Sequence, residues 1–314
     1  MNYFKERENR TLVLLEIQKQ ELPPFSHRFF TGIAQRTSSL TRLNYSYDLG
    51  IFFNYLVTQT EEFGEKIENL TEHDLERIEV WHVEMYMEWL GSNNGDKAKM
   101  RKLATLRSFF AYCFKVGLIS KNILPNIDMP KLQEKPIARL ERDEIREMFN
   151  RIENMRDRTI LLMFLMTGIR VSELVGLDVC DIDLKNTSFR VTRKGGKQEI
   201  LYMPRELVNQ IEAYLDAYNL DETSPLFPSN RSRRICVRSV QNLVKKYTSL
   251  VTPLKNISPH KLRSTFGTNL YRETGDIYVV ASVLGHKDVN TTKKHYASMS
   301  EDIKRAAADK VKLF

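Results

Sequence analysis

The sequence predicts a mainly helical protein of two domains, the first all-helical and the second α+β with one small antiparallel sheet. Three observations carry this. Apolar residues recur at three- and four-residue steps from Ser38 onward, and no strand signal appears over residues 25–127. The segment Asp128-Met129-Pro130-Lys131-Leu132-Gln133-Glu134-Lys135-Pro136 then interrupts the pattern, and its two prolines favour an extended path. Beyond it, Phe189 to Arg193 and Gln198 to Met203 alternate like short strands around Lys194-Gly195-Gly196-Lys197, a tight hairpin turn. A chain of 314 residues with 42% apolar content is long enough for two separate cores. The expected layout is a polar N-terminal extension over 1–24, a helical domain over 25–127, a linker over 128–138 and a second domain over 139–314.

Within the helical domain, Ser38 opens a helix in which Leu40, Leu43, Tyr47, Ile51 and Tyr55 recur at helical spacing. Thr71-Glu72-His73-Asp74 resembles a capping signal, with Asp74 in place of the usual Glu or Gln. A third helix covers Val80 to Leu90, and a fourth runs from Lys97 to Lys115. The fourth turns Met100, Leu103, Leu106, Phe110 and Phe114 inward and sets Lys97, Arg101, Lys102 and Arg107 elsewhere. In the second domain a charged helix spans Glu141 to Glu153, and Thr159 to Met166 reads as buried. Thr167-Gly168 interrupts before a helix from Arg170 to Leu177. Pro204 opens another helix, Ile235 to Leu250 follows with a basic face, and Ser258-Pro259 is an N-cap followed by a first helical residue. Asp276 caps a helix that stops at Gly285, Asn290-Thr291 begins a short helix, and Glu301 to Val311 is the last.

The formal charge is +8 with a pI near 9.2, and its distribution says more than its sum. Nine Lys/Arg and no acid lie between Arg231 and Arg263, among them Arg231, Arg233, Arg234, Arg238, Lys245 and Lys246. Seven basic residues and no acid lie between Lys97 and Lys121. A solvated surface mixes signs, so two all-basic stretches point to two surfaces facing a polyanion, with nucleic acid the leading partner. Neither stretch is a clean amphipathic helix of the kind that lies on membranes. The longest apolar run, Ile160 to Met166, is too short to cross a bilayer, and no signal segment opens the chain. Three scattered cysteines are read as reduced thiols of a cytoplasmic protein. No Asp/Glu cluster marks a metal site, and no cofactor is expected.

Chemistry-bearing residues concentrate near the C-terminus, where Ser258 to Tyr296 holds three of the six histidines. On the helix begun by Ser258-Pro259, His260 and Arg263 share a face at a terminus whose N–H groups favour an anion. Arg170 follows a core helix and a glycine, so a half-buried guanidinium there needs an anion; Glu173, one turn on, is the candidate, as an ion pair within the helix or as part of a site. Lys194 and Lys197 sit at a hairpin tip, where lysines are ordinarily solvated. His286 lies just past a helix end, and Tyr296 follows ten residues later.

Taken in order, Arg170 in Thr-Gly-Ile-Arg-Val-Ser-Glu-Leu, Lys194 at a hairpin tip, His260-x-x-Arg263, Leu-Gly-His286 and Tyr296 resemble the tyrosine recombinase family of phage integrases and Xer proteins. The resemblance spans about residues 25–314. It implies a SAM-like helical core-binding domain and a catalytic domain of the tyrosine recombinase fold. It also implies that Arg170 and Arg263 hold the scissile phosphate and that Lys194 protonates the leaving oxygen. His260 and His286 match the two histidine positions, and Tyr296 matches the nucleophile. Lys197 competes with Lys194 and His295 with Tyr296, but the family's lysine precedes the first glycine of the turn and its position before the tyrosine varies.

The implied activity is site-specific DNA strand exchange through a 3′-phosphotyrosyl intermediate and a Holliday junction, without metal or ATP. The implied partners are double-stranded DNA with inverted-repeat sites and a homo-tetramer, or a related recombinase within it, in the cytoplasm on the nucleoid. Two other functions share the fold or chemistry: a catalytically silent DNA-binding regulator and a type IB topoisomerase-like enzyme.

Overall fold

The computed structural model describes residues 3–91, 94–129, 138–193, 195–285 and 288–289. The chain divides into two compact units, Met1–Glu134 and Lys135–Phe314. Most of the expected linker, and the helices expected after residue 290, lie outside the described residues. Among the described residues, no helix is long and apolar enough to cross a membrane.

The first unit is all helical: α1 (Tyr3–Gln20), α2 (His27–Gly32), α3 (Ser39–Gln59), α4 (Glu72–Glu76), α5 (Val80–Gly91) and α6 (Asp96–Lys115). Its starts reflect local chemistry. The Ser38 hydroxyl accepts from the Thr41 N–H (3.2 Å) and opens α3. At α4 the Asp74 N–H donates to the Thr71 hydroxyl (3.3 Å), and the Thr71 N–H returns the bond to the Asp74 carboxylate (2.9 Å). The core gathers Leu49, Phe52, Phe53 and Leu56 of α3 against Tyr86 of α5 and Phe109 and Phe110 of α6.

Three expectations need correcting here. Residues 1–24 do not stand apart, because Leu15 of α1 and Leu22 are buried in this same core. On α3, Leu40, Tyr47 and Ile51 face outward, since the helix is apolar on more than one side and the wider aromatic side took the core. On α6, Phe114 is half exposed while Phe109 is fully buried.

The second unit runs α7 (Arg142–Asn150), α8 (Met155–Thr167), α9 (Val171–Val175), β1 (Ile182–Asp183), β2 (Ser188–Thr192), β3 (Gln198–Tyr202), α10 (Arg205–Tyr218), α11 (Val237–Ser249), α12 (Pro259–Thr274) and α13 (Ile277–Leu284). The strands form one antiparallel sheet in the order β1-β2-β3, with Phe189 opposite both Ile182 and Leu201. The two-residue strand β1 carries too little alternation to be seen in the sequence. Helix α8 is the axis of the unit: Ile160, Leu161, Met163 and Phe164 are all buried, with α10 and α12 packed against it. That surrounds α8 with apolar contacts and leaves its C-terminal end to position α9.

Candidate active site

Gly168 stops α8 in a left-handed conformation (φ +62°) that costs other residues strain. A Cβ there would stand 2.4 Å from Phe266 Cδ1 of α12, so the bare glycine also lets the two segments approach. The chain leaves extended, and Arg170 becomes the N-cap of α9. Glu173 accepts from the Arg170 backbone N–H (3.0 Å) and from its Nη1 (2.9 Å). Arg170 Nη2 reaches the carbonyls of Leu284 (3.3 Å) and Gly285 (3.2 Å) at the end of α13.

Arg263 arrives from the second turn of α12. Its side chain is buried; Nη1 donates to the Gly168 carbonyl and Nη2 to the Leu284 carbonyl. One peptide oxygen therefore receives hydrogen bonds from both guanidiniums. A helix C-terminus carries partial negative charge and unsatisfied carbonyls, which is why two cations settle there. His260 lies exposed on the first turn of α12, one turn before Arg263. Of the expected set, the structure brings Arg170 and Arg263 together and sets His260 on the helix of Arg263. Lys194, His286 and Tyr296 lie outside the described residues.

Sequence reasoning missed Arg193, the last residue before the hairpin tip. Its side chain is 8% exposed, and Nη1 donates to both oxygens of Glu173 (2.9 and 3.0 Å). Its Nε and Nη2 donate to Glu199 on β3 (3.0 and 3.2 Å). Burial disfavours the charged guanidinium, but the two carboxylates outweigh it and raise the Arg193 pKa. The same hydrogen bonds from Arg193, against a smaller effect of burial, hold the Glu199 carboxyl below its ordinary value. Arg170 and Arg193 thus share Glu173, Glu199 closes on Arg193, and Arg263 meets Arg170 at the Leu284 carbonyl. The only sequence signal for Arg193 was a cation on the inward side of a strand end, which needs a buried acid to be tolerable.

Three residues expected on the basic surfaces are held internally instead. Lys102 is buried and pairs with Asp48 of α3 (3.3 Å), which also binds Arg101 and the Thr105 hydroxyl (2.9 Å). Arg107 donates to the Ile127 carbonyl, closing the segment after α6. Arg234 pairs with Asp178 and bonds the carbonyls of Val175 (3.0 Å) and Leu177 (2.7 Å) at the end of α9. Each buried or half-buried cation found a local acceptor, which composition alone does not reveal. Lys97, Arg231, Arg233, Arg238, Lys245 and Lys246 are exposed, and Arg101 is half exposed beside Asp48. On α11, Gln241 and Asn242 share the exposed side with Arg238 and Lys245, while Val240, Leu243, Val244 and Tyr247 face the core.

Residues 138–302 match the model of the phage integrase family. The tyrosine recombinase XerC of Caldanaerobacter subterraneus subsp. tengcongensis is 32% identical over 309 residues, covering 92% of this chain and 86% of that protein. The chain belongs to this family. XerC of Pelobacter propionicus is 36% identical over 216 residues, covering 67% of this chain and 72% of that one. Among solved structures, the XerH site-specific recombinase bound to palindromic difH substrate superposes with a TM-score of 0.65 at 20% identity, covering 88% of this chain and 81% of that one. At that identity the likeness speaks for the fold: mainly helical, with one small antiparallel sheet. The chain is thus a Xer-like tyrosine recombinase, a site-specific DNA recombinase by family. In this recombinase the two arginines that the family resemblance singles out are the two that meet at Leu284.

Proposed function

We propose that this recombinase exchanges strands between two DNA sites through a 3′-phosphotyrosyl intermediate on Tyr296. The observation that carries the reading is the meeting of Arg170 and Arg263 at one carbonyl oxygen. A phosphodiester carries one negative charge and gains a second in its five-coordinate transition state. Two guanidiniums on the non-bridging oxygens answer that charge, and losing one such donor costs about 3–4 kcal/mol, or ~10²–10³ in rate.

In the proposed step the Tyr296 oxygen attacks phosphorus and the bond to the 5′-oxygen breaks. His260 takes the phenol proton, since a tyrosine with a pKa of about 10 is a weak nucleophile while protonated. Lys194 gives a proton to the departing 5′-oxygen, and His286 hydrogen-bonds the phosphate. The phosphotyrosyl bond keeps the energy of the ester, so a 5′-hydroxyl from the second duplex reverses the step without a nucleotide. Exchange of the first strand pair gives a Holliday junction, and exchange of the second resolves it.

The proposed partner is double-stranded DNA with inverted-repeat sites, held by four copies of the chain on two sites in the cytoplasm, on the nucleoid. Arg231, Arg233, Arg238, Lys245 and Lys246 present exposed charge to its phosphates. Gln241 and Asn242 add side-chain amides of the kind that pair with base edges. The test is a covalent adduct assay on a nicked duplex carrying the site selected from random-sequence DNA. The wild-type chain forms a protein–DNA adduct, and Tyr296→Phe abolishes it with duplex binding nearly intact. An adduct formed by the Phe chain overturns the assignment of Tyr296.

A further inference from the structure

We propose that Arg193 is a positioning residue of this site: it takes up the negative charge of Glu173, so that the charge of Arg170 stays available to an incoming phosphate. The inference rests on the proposed function, because it needs a phosphate to arrive at Arg170.

Glu173 is 3% exposed and touches the Arg170 side chain at 2.9 Å. With Arg170 as its one cation, a buried carboxylate would form a closed ion pair, and an approaching anion would meet a dipole instead of a charge. Arg193 changes this. Its Nη1 binds both Glu173 oxygens, while Arg170 Nη1 binds one of them. Arg170 is then the more exposed end of the chain of charges, its side chain 36% exposed against 8% for Arg193. Glu199 closes the other end on β3. Removing Arg193 would leave two guanidiniums against two carboxylates at a site whose ligand gains negative charge during the reaction.

A second observation places Arg193 under the same peptide that Arg170 binds. A Cβ on Gly285 would lie 2.9 Å from Arg193 Nη2 and 3.0 Å from its Cζ, so the guanidinium lies against bare backbone there. Gly285 adopts φ +59°, and its carbonyl accepts from Arg170 Nη2. The backbone N–H of Arg193 donates to the Lys197 carbonyl (2.7 Å) across the turn that holds Lys194 in the sequence. One side chain therefore joins the start of α9, the hairpin and the end of α13.

The test compares wild type, Arg193→Gln and Arg193→Lys on two nicked duplexes carrying the selected site. One has an ordinary scissile phosphodiester; the other has a methylphosphonate, in which a methyl group replaces a non-bridging oxygen and removes the charge. On the phosphodiester, adduct formation by Arg193→Gln falls by about 10–10², as for loss of part of a preorganised charge cluster. On the methylphosphonate, which needs less positive charge, the gap to wild type narrows to about threefold or less. Arg193→Lys keeps the charge but cannot fork between two carboxylates, so its deficit is intermediate and narrows in the same way. Should Arg193→Gln fail to fold by circular dichroism, the lysine chain carries the comparison alone. Full activity of the folded variants on the phosphodiester, or an equal deficit on both duplexes, overturns the inference. A wild-type chain that forms no adduct overturns the functional reading beneath it instead.

Discussion

Asp48→Asn tests whether Lys102 belongs to the interior of the helical unit. The Asp48 carboxylate is 1% exposed, and it holds Lys102 at 3.3 Å with a lysine side chain 5% exposed, whereas the Arg101 side chain is 50% exposed. An amide at this position frees Arg101 to turn to water, but Lys102 cannot do the same without opening the bundle. Removing one partner of a buried pair costs about 3–5 kcal/mol, and the Thr105 hydroxyl left nearby argues for about 3. With a urea dependence of about 2 kcal/mol/M, the unfolding midpoint falls by about 1.5 M. Both tryptophans of the chain, Trp81 and Trp89, sit on α5, so tryptophan fluorescence reports this unit. Asp48→Asn/Lys102→Met should recover most of the loss, because methionine removes the buried ammonium that the single variant leaves without a counter-charge. A shift below ~0.3 M for the single variant, or no recovery in the double, would refute the internal assignment.

The second unit supplies two further expected outcomes. Glu199 has its carboxyl pKa lowered in the folded chain by hydrogen bonds from Arg193, so its stabilisation is present above the unfolded value of about 4.3 and lost as pH falls through the lower folded value. Urea midpoints of wild type and Glu199→Gln should therefore differ near neutral pH and converge in acid; a gap that persists unchanged to low pH contradicts the charged pairing. Lys245→Ala should weaken duplex binding evenly across sequences and reduce the slope of log K against log salt by about 1, measured by fluorescence anisotropy; an unchanged slope removes Lys245 from the phosphate contacts.

What was legible in the sequence was what local chemistry decides. Ser38 and Thr71 with Asp74 announced helix starts because their capping partners lie within four residues, and Ser258-Pro259 did so because proline suits the first helical position. Gly195 and Gly196 announced the hairpin because both take positive φ there. The ordered set of Arg170, His260 and Arg263 named a candidate site before any geometry was known. What stayed hidden depends on partners far along the chain. Lys102 looked like surface charge because Asp48 is on another helix, and Arg234 did because Asp178 is on another segment. Arg193 was passed over because both its carboxylates are recognisable only after the strand pairs and α9 are in place.

The oxygen of Leu284 resembles a placeholder ligand. It gives two arginines a common target within the folded chain, so their rotamers are already chosen before any duplex approaches. Each such side chain has about 2 kcal/mol of rotational freedom to lose, and on the proposed reading that loss falls on folding and not on encounter. A phosphate arriving at this place would compete with one main-chain dipole for a ready-made grip, instead of assembling the grip itself.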